Sequence, residues 1–371
     1  MIDRDEFSAW LRLLETPGVG RESARALLAR FGSPEAALAA PTGARKEVVG
    51  SAVAGALSRV PDQFAARRDA GWQWLADGDE PRDAIVVGDP RYPQLLIDAA
   101  DPPLLLYVRG RIELLQAPAV AVVGSRNPTP QGLDNARAFS AHLSQAGWVV
   151  VSGLALGVDA AAHEAALAGG TGTIAVVGTG LDVVYPGRHR ALTARIAAEG
   201  LVVSEFAIGT PALPENFPIR NRIIAGLARG TLVVEAAVQS GSLITARLAE
   251  EAGREVFAIP GSIHSPTARG CHLLIKQGAK LVDSAADILD ELPPLPGSRA
   301  AAAPASRQEP DDRARKDPLL DVLGFDPIGL DALIERTGQS AAALSARLLE
   351  LELAGRVARL PGQRFRRVER A

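Results

Sequence analysis

The chain has 371 residues, 47% hydrophobic and 22% charged, which suits a soluble globular protein with an ample core in two or three domains. A net charge of −3 excludes a global basic field, so any affinity for nucleic acid must rest on a local positive patch. The single cysteine, Cys271, excludes an internal disulfide and a cysteine metal cage, and neither a signal peptide nor an apolar run of spanning length is visible, so a cytoplasmic protein away from the membrane is expected.

Residues 1–75 read as helical, with Leu11, Leu14, Leu27, Leu28 and Phe31 supplying apolar positions. Pro17-Gly18-Val19-Gly20 separates two helical segments, as in a helix-hairpin-helix element of a SAM-like domain. Such a hairpin can turn backbone N–H groups toward a DNA phosphate, or can be a tight turn that binds nothing. Trp72 and Trp74 are expected in core. From about residue 80 the periodicity changes. Ile85-Val86-Val87, Asp101-Pro102-Pro103 and Leu104 to Gly110 read as a lead-in segment that adds an edge strand.

A regular alternation follows, over 80–292. Apolar runs at 120–123, 149–151, 174–177, 201–203, 232–234 and 256–259 are separated by helical patterns at 130–146, 158–169, 188–199, 218–229 and 243–252. Continuous apolar strands between helices predict a doubly wound, mostly parallel α/β sheet covered on both faces. Small or acidic residues follow the runs: Gly124-Ser125-Arg126, Ser152-Gly153, Gly178-Thr179-Gly180, Ser204-Glu205, Ser240-Gly241-Ser242 and Pro260-Gly261. Ligands of open α/β sheets bind along that edge, where small residues let amides and helix N-termini approach an anion.

The stretch from Asn216 to Gly226 carries the most specific chemistry. A helix is expected to start near Pro218, since proline's missing N–H is an orphan in a first turn. Phe217, Arg220 and Asn221 then share one patch, and Ile219, Ile223 and Gly226 an apolar stripe. An aromatic face, a guanidinium fork and an amide suit a phosphate-bearing ligand with an unpaired base. Arg222, beside Ile219, suggests a structural contact beneath that pocket.

Other chemistry lacks its signature. There is no Walker A pattern, no GxGxxG after the first strand, no metal-ligand spacing among the five histidines and no nucleophile elbow. Asp159 and His163 share a helix face, more simply as a helix-start carboxylate near a structural histidine than as an acid–base pair. Glu205 and Glu235 are the best carboxylates for catalysis, and neither has an evident partner.

Residues 293–316, rich in proline and alanine, read as a linker. Residues 317–371 suggest three helices near 317–323, 328–336 and 340–354, then two short strands around Pro361-Gly362. That pattern is a winged helix with a basic end (Arg356, Arg359, Arg364, Arg366, Arg367 and Arg370). Winged helices serve duplex DNA or protein partners, and the sequence leaves both open.

Taken together, an ordered series resembles the DNA-processing protein A family (DprA, or Smf). It comprises Gly124-Ser125-Arg126, Val151 to Ala155, Gly157-Val158-Asp159 with His163, and Gly180-Leu181-Asp182 with Tyr185-Pro186. It continues through Ser204-Glu205, Phe217-Pro218, Arg220 to Leu227, Ser240 to Thr245 and Val256 to Gly261. The resemblance covers roughly 80–290. Departures are Gln131, His189, His272 and Ala207, where a tyrosine, two asparagines and a proline are usual in the family.

The resemblance implies a Rossmann-like fold that binds single-stranded DNA, forms a homodimer through this domain and loads RecA recombinase in natural transformation, without catalysis or cofactor. It places DNA contacts on Gly124, Ser125 and Arg126, on Phe217, Arg220, Asn221 and Arg222, and on Ser240, Gly241, Ser242 and Lys276. Two rivals remain open. One is a nucleotide- or nucleoside-phosphate-processing enzyme related to cytokinin-releasing proteins, whose PGGxGTxxE pattern is lacking here. The other is a DNA-free scaffold acting through its terminal domains.

Overall fold

Asp3 opens the first helix by accepting the amides of Asp5 and Glu6, both at 2.9 Å, on its Oδ1. The helical segment comprises α1 (Arg4–Glu15), α2 (Arg21–Phe31), α3 (Pro34–Ala39), α4 (Thr42–Leu57) and α5 (Phe64–Ala76). Gly18, at φ +83°, makes the turn between α1 and α2 in a region that a side chain would resist. The structure, a computed structural model, describes residues 2–78, 80–99, 101–295, 317–323 and 327–368. Most of the expected linker, 296–316, and Arg370 lie outside the described residues.

The lead-in segment supplies two strands where one was expected. These are β1 (Arg82–Val86) and β2 (Leu105–Gly110), with the short helix α6 (Gln94–Ile97) between them. The alternation then runs β3 (Ala119–Val123), α7 (Pro130–Gln145), β4 (Val149–Ser152), α8 (Val158–Gly169), β5 (Thr173–Val176), α9 (Arg190–Glu199) and β6 (Leu201–Ser204). It continues with α10 (Asn216–Leu227), β7 (Gly230–Val233), α11 (Gly241–Glu251), β8 (Glu255–Ala258), α12 (Arg269–Gln277), β9 (Lys280–Leu281) and α13 (Ala285–Glu291). All six expected strands are present, and β9, α12 and α13 extend the pattern.

The nine strands lie in the order β1-β2-β6-β5-β4-β3-β7-β8-β9. The pairings β1–β2 and β2–β6 are antiparallel, and the rest are parallel. From β3 the chain winds outward through β4, β5 and β6, then returns to β7 on the other side of β3. The strand order therefore reverses between β3 and β7, where the loops at the carboxyl ends part and leave a crevice.

The helical segment does not stand apart from this sheet. Phe7, Trp10 and Leu75 share one apolar cluster with Leu105 and Tyr107. The Tyr107 ring meets Phe7 edge-on at 6.2 Å and Trp74 edge-on at 6.3 Å. Residues 1–296 accordingly form one compact unit and 297–371 another.

The second unit holds α14 (Pro318–Leu323), β10 (Ile328–Gly329), α15 (Leu330–Thr337), α16 (Ala341–Leu353), β11 (Val357–Leu360) and β12 (Arg364–Arg367). Its strands pair in the order β10-β12-β11, and Leu320, Leu333, Leu344, Leu348 and Phe365 fill its core. This is the winged helix, with β10 as a strand the sequence pattern did not show.

Candidate nucleic-acid interface

Helix α10 begins at Asn216, two residues before the expected start. The Asn216 amide donates to the Gly178 carbonyl at 3.0 Å and anchors the first turn to the end of β5. Gly178 also makes room for Phe217, since a Cβ there would lie 3.1 Å from the ring. The two-faced pattern read from the sequence holds only in that first turn. Further along, Arg220, Asn221, Ile223, Ile224, Ala225 and Gly226 are all buried.

Arg220 is the main correction. It was expected to present a guanidinium to phosphates, yet only 5% of it is exposed. It donates to the Gly153 and Val176 carbonyls, at the ends of β4 and β5, and its Nε donates to Asn221 Oδ1 at 3.0 Å. Strand-end carbonyls left without a following strand residue need donors, and this guanidinium supplies them. Gly153 must lack a side chain, because a Cβ would overlap the guanidinium. Desolvation pushes the Arg220 pKa down to about 10, against the pull of Asp159 and with a further push from Arg126. It remains a cation at neutral pH.

Asp159 completes this floor. Its Oδ2 accepts the Gly153 and Ala155 amides at 3.1 and 3.2 Å. Burial raises its carboxyl pKa, with Arg220 and those amides opposing. The loop after β4 therefore presents its amides to a resident carboxylate, not to an incoming anion as expected. Asp159 does not pair with His163, whose Nδ1 lies 2.8 Å from Thr173 Oγ1.

The mouth of the crevice differs in character. Arg126, exposed after β3, lies over the Phe217 ring at 5.9 Å from its centroid. Tyr185 meets the same ring at 5.3 Å and 39°, and is 48% exposed. A third wall is the N-terminus of α11, where Ser240 Oγ accepts the Ser242 amide at 3.3 Å. Asn221 ties that wall to α10 by donating to the Gly241 carbonyl at 3.3 Å. A cavity of about 260 Å³ lies between these walls.

Eight of the eleven expected DNA contacts line it: Gly124, Arg126, Phe217, Arg220, Asn221, Ser240, Gly241 and Ser242. Ser125, Arg222 and Lys276 are not among its lining residues. Ser125 shapes the loop, its Oγ accepting the Asn127 amide and its carbonyl the Val158 amide. Arg222 donates to both Glu205 oxygens, at 2.5 and 2.6 Å, and reaches Asp101 at 3.3 Å. It is a structural residue, directed to those carboxylates and not to the cavity. Lys276 is exposed in the last turn of α12.

Both candidate carboxylates have partners after all. Glu205 holds Arg222, and Glu235 accepts the Thr129 amide at 3.0 Å and its hydroxyl at 2.5 Å. Of the six strand-end loops, those after β3, β4 and β7 reach the cavity. Tyr185, against Phe217, is not among the DNA contacts expected from the sequence. Its signals were an aromatic residue before a proline beyond a strand end and the family match at Tyr185-Pro186, and nothing in the spacing linked it to Phe217. Among the described residues, no three His, Cys, Asp or Glu side chains could hold a metal ion, and no helix is long and apolar enough to cross a membrane.

Three family models match the chain. DNA recombination-mediator protein A covers residues 83–293, a DprA winged helix domain 301–363 and a DprA-like N-terminal HHH domain 4–66. Protein Smf of Escherichia coli (strain K12) is 42% identical over 294 residues, 78% of each chain. DNA processing protein DprA of Streptococcus pneumoniae is 51% identical over 203 residues, 55% of this chain and 72% of its own. Among solved structures, that of DNA processing protein A from Streptococcus pneumoniae aligns with a TM-score of 0.68 at 40% identity, covering 77% of this chain and 98% of the other. DNA processing protein A from Helicobacter pylori, whose structure concerns its single-stranded DNA binding mode, aligns with a TM-score of 0.51 at 30% identity. It covers 56% of this chain and 94% of the other.

Proposed function

The chain belongs to the DNA recombination-mediator protein A family, and from that premise we propose that it binds single-stranded DNA and loads RecA recombinase on it, in DNA processing during natural transformation. The observation that carries this reading is Arg126 over Phe217 in the lining of the switch-point cavity, with the exposed Tyr185 ring against Phe217. The aromatic faces stack unpaired bases, the exposed guanidinium neutralises phosphate, and the α11 N-terminus adds partial positive charge. The Helicobacter pylori relative, named for single-stranded DNA binding, supports it. Stacking and phosphate neutralisation act on every base alike, so sequence preference is weak in this reading.

The protein acts without catalysis in this reading, and the engagement of Glu205 and Glu235 by Arg222 and Thr129 supports it. It works in the cytoplasm as a homodimer through the α/β domain, and its winged helix contacts duplex DNA or a protein. Fluorescence anisotropy with single-stranded oligonucleotides at several salt concentrations tests the site. Phe217→Ala loses about 1–3 kcal/mol per base unstacked. Arg126→Ala weakens binding and flattens the slope of log affinity on log salt by about 0.7. Wild-type affinity in both variants would sink the site. RecA filament assembly on single strands, with and without the protein, tests loading. Base release from a nucleoside monophosphate, lost on Glu235→Gln, would replace the reading by the enzymatic one.

A further inference from the structure

A second cavity, of about 340 Å³, opens where α5 meets β1, β2 and α9. Its lining includes Trp74, Arg82, Arg109, Asp182, Val184 and Arg190. Arg82 lies over the Trp74 ring at 4.9 Å and donates to the Trp74 carbonyl at 2.9 Å, while its buried Nε has no partner. Arg109 donates from Nε to Glu80 at 2.5 Å. Asp182 accepts the Gly209 amide at 2.9 Å. Arg190 is exposed, and its side chain has no ion pair among the described residues.

Arg109 is paired with Glu80 and Asp182 puts a carboxylate in the lining, so the three guanidinia leave an excess of one positive charge, on Arg82 and Arg190, that an anion can pair. Guanidinium forks match phosphate oxygens better than they match a diffuse counter-ion. What selects a polymer over a free anion is continuity with the first cavity. Val184 lines the second cavity, and the next residue, Tyr185, meets the ring of Phe217, which lines the first, at a tilt of 39°. Consecutive Cα atoms are about 3.8 Å apart, so the chain passes in one residue from the lining of the second cavity to a side chain that lies against the lining of the first.

We propose that the arginine-lined cavity is a backbone subsite for the same single strand, whose phosphates pass from the Arg126 mouth across Tyr185 to Arg190 and Arg82. This rests on the single-strand reading of the first cavity and extends it onto the seam between the helical segment and the sheet. The strand then touches both parts of the first unit, and its site is longer than the aromatic mouth alone provides.

The test uses the full chain and oligo(dT) of about 4 and about 16 nucleotides, the range of site sizes on single-strand binders. Arg190→Ala, an exposed change that leaves packing intact, weakens binding of the longer oligomer only. It also makes its salt slope shallower by about 0.7, one phosphate contact. Arg126→Ala weakens both oligomers. If Arg190→Ala leaves the longer oligomer's affinity and slope at wild type while Arg126→Ala still weakens both, the strand path is wrong and the mouth stands. If the wild type binds neither oligomer, both readings fall. Inorganic phosphate that binds the wild type and not Arg190→Ala, with no effect of oligomer length, assigns the cavity to free phosphate and overturns the path.

Discussion

Arg126 and Arg220 carry the same charge and lie near the same aromatic ring, each 5.9 Å from the Phe217 centroid, yet they do different work. Arg220 is the cation that closes the ends of β4 and β5, so its removal leaves the Gly153 and Val176 carbonyls and Asp159 without their donor or counter-charge. Arg220→Met should lower the unfolding free energy in urea by about 2–6 kcal/mol, at about 1–3 kcal/mol for each of the buried Gly153 and Val176 carbonyls left without a donor. Arg126→Ala, at an exposed position, should stay within about 0.5 kcal/mol of wild type. Equal urea midpoints for Arg220→Met and wild type would refute the structural role. The sequence could not separate the two, because a helix-surface pattern assigns faces but cannot show which carbonyls lie opposite a face.

His163 adds a pH signature to the same floor. It is fully buried. Thr173 Oγ1 already donates to the Val150 carbonyl at 2.6 Å, so the His163 Nδ1–H must donate to Thr173. Its Nε2 is buried without a partner. Protonation there would bury an uncompensated charge, and burial, with Arg220 and His189 adding, pushes the pKa down from 6.5 to about 3. The unfolded chain binds this proton first. The stabilisation from keeping His163 neutral is therefore complete above pH 6.5 and is lost progressively as pH falls toward 3. The loss approaches about 1.4 kcal/mol per pH unit at most. His163→Leu should remove that component, so the difference in unfolding free energy between wild type and variant should change with pH below 6.5 and not above it. A difference constant from pH 7 to pH 4 would contradict it.

Among the elements, long apolar runs declared themselves. Val120 to Val123 and Val149 to Val151 are buried on both faces, and nothing but a covered parallel strand suits them. β9 is two residues long and half polar, so it depends on pairing with β8 and carries no pattern of its own. α10 was legible as a helix but not as a buried one, because Arg220 and Asn221 look like surface residues until their partners are known. Asp101 is the clearest case of an unreadable tie. It accepts Arg21 and Arg25 of α2, each at 2.6 Å, and lies 3.3 Å from Arg222 of α10. Burial alone would raise its pKa, yet Arg25, Arg222 and Arg21 together hold it below the usual carboxylate range. It thus links the helical hairpin to the helix that carries Phe217. Asp101→Ala should speed amide exchange across Arg21–Phe31, while the fold of the winged helix stays unchanged. Unaltered exchange there would show that the hairpin is held by its apolar contacts alone.

At the scale of the whole chain, the change of periodicity near residue 80 marks where helices give way to strands, but it does not mark where the core divides. Phe7 and Tyr107 are separated by a hundred positions, and no local period can reveal that they touch. Their cluster runs through the boundary, with Trp10 and Leu75 on one side and Leu105 and Val202 on the other. Fully burying a side chain of this size is worth about 1.5–3 kcal/mol, and several lose that cover together if the helical segment is removed. A fragment of residues 80–292 should therefore expose the apolar surface around Leu105 and Tyr107, bind a hydrophobic dye and lack a sharp thermal transition. A fragment of residues 1–296 keeps the cluster intact, while the winged helix has a separate core around Leu333, Leu344 and Leu348. That fragment should melt cooperatively and retain the single-strand affinity of the full chain. Circular dichroism melts and anisotropy on the two fragments decide the matter. Should residues 80–292 melt at the same midpoint as residues 1–296, the helical segment contributes no stability to the sheet. The contacts around Tyr107 would then be a docking surface between independent domains and not a shared core.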